Sequence, residues 1–103
     1  MTLEQIRAFL VAVDPDIKHY FTMSDDGAYS YWEETSRLPF TADGRHQDGW
    51  RFYVHRFTRQ EGDQMALALF NALDADFRIA VRWTIGFDKE SGYIHHIFEC
   101  EAA

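Results

Sequence analysis

Residues 77–88 alternate strictly between apolar side chains and polar or small ones. The apolar positions of this run are Phe77, Ile79, Val81, Trp83, Ile85 and Phe87. Because neighbouring side chains of a strand point to opposite faces, the run predicts a strand with one buried face and one open face. Such a strand is stable only within a sheet whose apolar face is covered. The chain is therefore expected to build an antiparallel sheet packed on one side.

Two segments have the apolar spacing of amphipathic helices, and they are the candidates to cover that sheet. The first is predicted over residues 3–13, because Thr2 and Gln5 match a capping box and a proline follows the last apolar position. The second follows Asp63, a residue type that favours the N-cap position, and ends at residues 74–76. Each helix would turn one apolar stripe toward the sheet.

Three further segments have the composition of strands. They lie at residues 29–34, 50–59 and 93–101, where aromatic and β-branched residues are frequent. Residues 17–24 are ambiguous, with a short strand as one possibility. The order of elements predicts a single α+β domain over residues 1–103. Its sheet would be antiparallel, mixed at most, with four to five strands and two helices packed on one face.

The segment 36–49 has a proline, two Asp/Gly turn signals and no hydrophobic periodicity. These features predict a long loop. Loops of this length are uncommon in compact domains, and those that occur are often functional or mobile.

The last segment brings two histidines, a glutamate and the chain's single cysteine close together in sequence. In a strand, His95 and His96 point to opposite faces and cannot chelate one ion. His96 and Cys100 share a face but lie roughly 13 Å apart at the rise of a strand. Zinc holds its ligands at about 2.0–2.3 Å, so no metal site is predicted here.

Pairing with the strand at residues 77–88 accounts better for the same residues. If Asp88 lies opposite Tyr93, Gly92 takes a turn position that favours a left-handed backbone. The apolar faces of the two strands then match. In this register Cys100 is a small buried apolar residue, and His96 is a partly buried histidine that needs a local hydrogen-bond partner.

The charge of the chain and the absence of known motifs argue against several classes of function. The net charge is −7 and no run of Lys and Arg offsets it, so nucleic-acid binding is not expected. No apolar run reaches the roughly 18–20 residues that a membrane span needs, and no signal peptide is indicated, so we expect synthesis in the cytosol. Nucleophile-elbow, phosphate-loop and Cys-x-x-Cys motifs are absent from the sequence. The sequence therefore predicts no catalytic residue and no cofactor.

The order of patterns from Tyr29 onward resembles a known family. An aromatic strand (AYSYWEE) is followed by a turn-rich insertion (TADGRHQDG), a second strand (WRFYVHRFTR), a short helix (GDQMALALFNAL) and a closing hairpin (FDKESGYIHHIFECE). This order resembles the small tail-terminator or tail-completion (head–tail joining) proteins of tailed bacteriophages, over about two-thirds of the chain. Relatives often carry a proline in the aromatic strand, where this chain has Ser30.

The resemblance implies a structural role without a cofactor and without chemistry. Proteins of this family form a ring, typically hexameric, at the head-proximal end of the tail tube. There they stop tube growth and present a surface to the head. The implied partners are further copies of the chain, the tail tube protein and the head connector or neck proteins. The implied location is the virion tail or neck, after assembly in the bacterial cytoplasm.

A ring needs two different patches that bind each other on neighbouring subunits. The segment 36–49 mixes apolar and basic side chains, and we expect it to be mobile in the monomer and to order against a neighbour or the tube. A plain surface loop is the alternative. The candidate assembly-interface residues are Arg37, Leu38, Pro39, Phe40, Arg45 and His46.

Aromatic side chains support a second class of function. Tyr31, Trp50 and Tyr53 would favour a small α+β ligand-binding domain if they lined one pocket with a convergent polar group. Such residues more often belong to a sheet core or an interface. Ligand binding is therefore the alternative to the virion role, and an enzyme ranks third.

Overall fold

The structure is a computed structural model that describes residues 1–42 and 45–103, and for residues 40–42 and 45–48 it describes the backbone alone. Its elements in chain order are α1 (Leu3–Val13), β1 (Lys18–His19), β2 (Tyr29–Ala42), β3 (Arg45–Thr58), α2 (Gln64–Ala75), β4 (Ile79–Phe87) and β5 (Ile94–Ala102). The predicted α+β class is confirmed, and the ambiguous segment 17–24 contains a two-residue strand.

Both helices begin where the capping residues predict. At the start of α1, the Thr2 hydroxyl accepts from the Gln5 backbone N–H at 3.1 Å, and the Gln5 side chain accepts from the Thr2 N–H at 2.8 Å. At the start of α2, the Asp63 carboxylate accepts from the backbone N–H of Ala66 at 3.0 Å. These bonds satisfy backbone donors that the first turn of a helix leaves unpaired.

The five strands form one mixed sheet in the order β1-β2-β3-β5-β4. β1 runs parallel to β2, and the other neighbours are antiparallel. The two helices cover one face, which we call the helix face. The opposite face, which we call the open face, carries no helix. The one-sided cover that the alternation in residues 77–88 predicts is therefore present over Ile79, Val81 and Trp83. Phe77, Ile85 and Phe87, which the same alternation places on the buried face, are exposed because the helices do not reach them.

The core lies between the helices and the helix face. It joins Ile6 and Leu10 of α1 and Leu69 and Leu73 of α2 to side chains of the central strands. The largest fully buried side chains of the sheet are Trp32, Phe52, Val54, Phe98 and Cys100. Each buried side chain of this size contributes roughly 1.5–3 kcal/mol relative to its exposed state.

The closing hairpin has the predicted register. The Asp88 backbone N–H donates to the Tyr93 carbonyl at 3.0 Å, and Gly92 has a φ of 75°. Val81 pairs with Cys100 across β4 and β5. Cys100 is fully buried, as predicted, and burial raises the pKa of its thiol well above the ordinary value. The thiol therefore stays neutral and packs as an apolar side chain of the core.

The segment 36–49 is not the long loop that its turn signals predict. Residues 36–42 pair with 45–51 as continuations of β2 and β3, from Ser36 opposite Arg51 to Ala42 opposite Arg45. Proline is tolerated here because β1 pairs only with Tyr31 and Trp32, so no described strand lies on the far side of β2 at Pro39 and the missing N–H need not break a ladder. Residues 43 and 44 lie outside the described part of the chain.

This extended hairpin reaches past the rest of the sheet. β5 ends at Ala102 opposite Trp50, so residues 38–42 and 45–49 pair only with each other. We call residues 38–42 and 45–49 the arm. The Cα atoms span 50 × 23 × 21 Å and have a radius of gyration of 14.4 Å, against about 13 Å for a compact chain of this length. The arm accounts for the elongation.

Candidate functional site

A β-bulge at Thr35 decides which face the arm residues occupy. The pairing register shifts between Glu34 and Ser36, and the Thr35 hydroxyl donates to the Arg51 carbonyl at 3.2 Å. Before the bulge, odd-numbered residues of β2 lie on the open face; after it, even-numbered residues do. A bulge of this kind re-aims the strand that carries it and is typical of functional edges.

The predicted interface residues lie at the base and along the strands of the arm. Arg37 is exposed on the helix side, with its guanidinium carbon 5.9 Å from the centre of the Trp50 ring. Leu38 is half-buried at an open-face position, and Pro39 is exposed. Phe40, Arg45 and His46 have paired backbones, and their side chains lie outside the described part. The structure thus places the six candidates on one hairpin rather than on a loop.

The open face carries a row of stacked rings that the sequence analysis did not connect. Tyr29 stacks on Phe57 with ring centres 4.6 Å apart, and Phe57 stacks on His95 at 4.0 Å. Tyr31 stacks on His55 at 4.5 Å. All five rings are partly exposed. The sequence contains a signal for this row, because aromatic and histidine side chains occur at alternate positions in three strands. These side chains form one surface only after the strands pair.

A hydrogen-bonded chain links Glu33, His55 and His95 on this face. His55 Nε2 lies 2.9 Å from Glu33 Oε1, and His55 Nδ1 lies 2.8 Å from His95 Nε2. An ionised carboxylate only accepts, so His55 carries its hydrogen on Nε2. In the neutral pair, His95 then donates from Nε2 to His55. Burial above all, with His55 and His96 nearby, lowers the pKa of His95 to about 4.

His96 points to the opposite face, as predicted for neighbours in a strand. It is buried, and its Nδ1 accepts from Trp83 Nε1 at 3.1 Å, which supplies the predicted local partner. Its Nε2 has no hydrogen-bond partner among the described residues. Burial lowers the pKa of this histidine, and the Arg56 charge acts in the same direction against Asp63. His96 is a structural group of the core.

No cluster of three or more His, Cys, Asp or Glu side chains suited to a metal ion occurs in the part of the chain that the structure describes. Neither α1 nor α2, the described helices, is long and apolar enough to cross a membrane.

A cavity opens at the end of the sheet far from the arm. Its volume is about 530 Å³, and it lies between the turn after β1 and the turn joining β4 to β5. We call it the aromatic cavity; its lining residues include Met23, Tyr29, Phe57, Gly86, Phe87 and Tyr93.

Hydrogen bonds across the two turns hold the aromatic cavity open. The Tyr93 hydroxyl lies 2.9 Å from the Ser24 carbonyl and 2.8 Å from the Gly27 carbonyl. Arg59 packs its guanidinium 4.1 Å from the centre of the Tyr93 ring and donates to the carbonyls of Ser91 and Asp25. The cavity is therefore pre-formed, which lowers the ordering cost of filling it.

The ligand pocket suggested by Tyr31, Trp50 and Tyr53 is not assembled. Tyr31 and Tyr53 lie on the open face, while Trp50 lies on the helix face and packs against the core. Side chains on opposite faces of one sheet cannot line one pocket. The observed aromatic cavity uses different residues.

Comparison with known proteins gives a fold and no family. No family model matches the chain, and a search of curated protein sequences finds no match. A chain in the solved structure of the virion of a native gene transfer agent (GTA) particle has the same fold. It is 14% identical, with a TM-score of 0.58, and the match covers 96% of this chain and 87% of that chain. The two proteins thus share one α+β architecture over almost their whole lengths.

Proposed function

We propose that this protein is a structural component of a phage or prophage virion that caps the tail tube and joins it to the head. The observation that carries the proposal is the fold shared with a chain of a gene transfer agent virion across nearly the full length of both. The sequence resemblance to tail-terminator and tail-completion proteins points to the same class. The role is mechanical and includes no catalytic step and no cofactor.

In this proposal the protein acts as a ring of identical subunits, typically six in the family it resembles. The ring would sit at the tail or neck of the virion, between the tail tube protein and the head connector or neck proteins. Assembly would take place in the bacterial cytoplasm. A net charge of −7 suits a soluble component that docks on a basic partner face.

The arm is the proposed element of assembly. It continues past the end of β5 without pairing to it, with Pro39 exposed on the arm and Arg37 exposed at its base. An extended hairpin offers backbone donors and acceptors on its outer edge, and these can pair with another chain. The proposal therefore keeps Arg37, Leu38, Pro39, Phe40, Arg45 and His46 as interface residues.

The experiment removes the arm and keeps the body. Replacing residues 38–49 by Asn-Gly joins the register partners Arg37 and Trp50 through a two-residue hairpin turn. The thermal midpoint should stay within about 4 °C of the wild type, equivalent to less than about 1 kcal/mol, because the body keeps its core. Sedimentation velocity and negative-stain images should show rings for the wild type and monomers for the armless variant.

Rings from the armless variant would show that the arm is dispensable. A wild type that stays monomeric at every concentration, with or without a tail tube protein, would overturn the virion role. The ligand-binding alternative then gains weight through the aromatic cavity, and a saturable small apolar ligand seen by Tyr fluorescence would support it.

A further inference from the structure

Phe77 is almost completely exposed, although it is a large aromatic side chain. It is 98% accessible to solvent, in the short connection between α2 and β4. The apolar residues at odd-numbered positions of residues 77–88 predict that Phe77 is buried. Phe77 is exposed because the strand begins only at Ile79. Phe77 shares a shallow depression with the apolar side chains of Met1, Leu3 and Trp50, and contiguous exposed apolar patches mark interaction sites.

The backbone around Phe77 is held rigidly. Asp76 Oδ1 accepts from the backbone N–H of Arg78 at 2.9 Å and from its Nε at 3.0 Å, and Asp76 Oδ2 accepts from Arg78 Nη2 at 2.7 Å. The Ile79 N–H donates to the Asp76 carbonyl at 3.0 Å. Phe77 therefore projects from a turn whose flanking residues are bonded to each other, and little backbone order is lost on binding.

The protein also contains an aromatic cavity with room for such a side chain, at the opposite end of the same strand. Phe77 precedes the first residue of β4, and Phe87, the last residue of β4, lines the aromatic cavity. Because β4 spans nine residues and ends at Phe87, roughly 30 Å separates Phe77 from Phe87 at the rise of a strand. Phe77 therefore cannot fill the cavity of its own molecule.

We propose that Phe77 of one copy inserts into the aromatic cavity of the next copy. This inference rests on the proposed function, since it names one contact of the ring. The contact joins two different patches, which is the interface type that closes into rings or extends into filaments. Edge and face contacts to the inserted side chain are available from the rings that line the cavity, which are Tyr29, Phe57, Phe87, Tyr93 and His95.

Both patches carry charges of both signs. Glu4 lines the depression beside Phe77 together with Arg37 and Arg78, and Arg78 is paired with Asp76. Asp88 lines the aromatic cavity, and the Arg59 guanidinium lies against its Tyr93 ring. The proposed contact therefore rests on the aromatic side chain and the aromatic cavity.

The Phe77 patch is also continuous with the base of the arm. Trp50 and Arg37 line the depression beside Phe77, and Arg37 directly precedes the arm. One end of the molecule would therefore carry the arm and Phe77, and the other end the cavity. A neighbour could be engaged by both features at once.

Two variants test the contact from its two sides. Phe77→Ala removes the inserted ring from a position that is solvent-exposed in the monomer. Gly86→Trp fills the cavity from within; its backbone is not in the left-handed region, and a Cβ there meets no atom within 4 Å. Gly86→Met is the milder second variant. Leu67→Ala, at another exposed apolar position, is the matched control.

Each variant alone should keep the wild-type thermal midpoint and lose rings, with association weakened at least about 30-fold, as expected for a hot-spot residue. The control should form rings. Mixing Phe77→Ala with Gly86→Trp should give a 1:1 dimer and nothing larger, because only one intact Phe77 and one intact cavity remain per pair. Sedimentation velocity distinguishes these species.

The outcomes separate this inference from the proposed function. Rings from Phe77→Ala, or no dimer in the mixture, overturn the Phe77 contact and leave the virion role standing. Open filaments in the wild type that Phe77→Ala abolishes support the contact and overturn the closed ring. A wild type that never self-associates overturns both.

Discussion

His55 and His95 come from different strands, forty positions apart in the chain, and their ring nitrogens Nδ1 and Nε2 lie 2.8 Å apart. The contact is diagonal across the β3–β5 ladder, in which Phe57 is the direct partner of His95. Glu33 bonds the far nitrogen of His55. The open face is thus held by a polar chain as well as by stacked rings, and protonation of His95 acts directly on it.

The stability of the protein should fall as the pH drops from about 6.5 to about 4. The pKa of His95 is lowered to about 4, against 6.5 for an ordinary histidine, so in this window the unfolded chain binds a proton that the folded chain does not. Urea unfolding at pH 7 and pH 5 measures the slope of the free energy of unfolding against pH. His95→Phe keeps a ring against Phe57 and cannot titrate, so its slope should be smaller. The lowered pKa of His96 leaves a residual slope. An unchanged slope in His95→Phe would contradict the assignment.

Trp83→Phe should destabilise the fold by about 1–3 kcal/mol, because it leaves the buried Nδ1 of His96 without its donor. Chemical denaturation measures the loss. The double variant Trp83→Phe/His96→Phe removes both polar partners, so the two losses should not add. A coupling energy of about 1 kcal/mol is expected from the double-mutant cycle. Strict additivity would show that the bond does not contribute.

Asp63→Ala should cost on the order of 3 kcal/mol, since Asp63 both caps α2 and pairs with Arg56 Nε at 2.9 Å. Both side chains are largely buried, with 13% of Arg56 and 9% of Asp63 exposed. Asp63→Asn removes the charge but keeps a side chain that favours the N-cap position. Its loss of stability should therefore be about 1 kcal/mol smaller than that of Asp63→Ala. Equal losses in the two variants would mean that the cap contributes nothing.

Gly92→Ala should destabilise the protein by about 1–2 kcal/mol, because Gly92 has a φ of 75° and an alanine there is strained. Gly86→Ala is the matched control six residues earlier. Its backbone is not left-handed and its added Cβ meets no neighbour within 4 Å, so it should be neutral or slightly stabilising. Thermal unfolding of both variants checks the difference. Similar losses in both would rule out backbone strain as the cause.

The arm shows where local sequence signals fail. Pro39 and the Asp/Gly pairs predict a loop, and yet residues 36–42 pair with 45–51. Proline interrupts a strand only where its missing N–H is needed, and that depends on whether another strand lies alongside. Which strands lie next to each other is a property of the whole sheet. Residues 36–49 alone therefore do not determine whether this segment forms a loop or two paired strands.

Other elements could be predicted from interactions between residues that are close in sequence. The capping box at Thr2 and the N-cap at Asp63 set the helix starts, because a cap needs only residues within one turn. The alternation in residues 77–88 and the turn at Gly92 set the register of the closing hairpin, which placed Cys100 in the core. In each case the interacting groups are close in sequence or related by a fixed period of two.

The surfaces proposed for assembly depended on tertiary structure. The bulge at Thr35 and the stacking of His95 on Phe57 follow from how strands distant in sequence pair, and the aromatic cavity forms where two turns distant in sequence meet. The sequence alone determined the fold class, both helices and one hairpin, since periodicity and capping are local. Only the folded sheet decided which side chains meet across β2, β3 and β5, because that pairing is set by packing over the whole core.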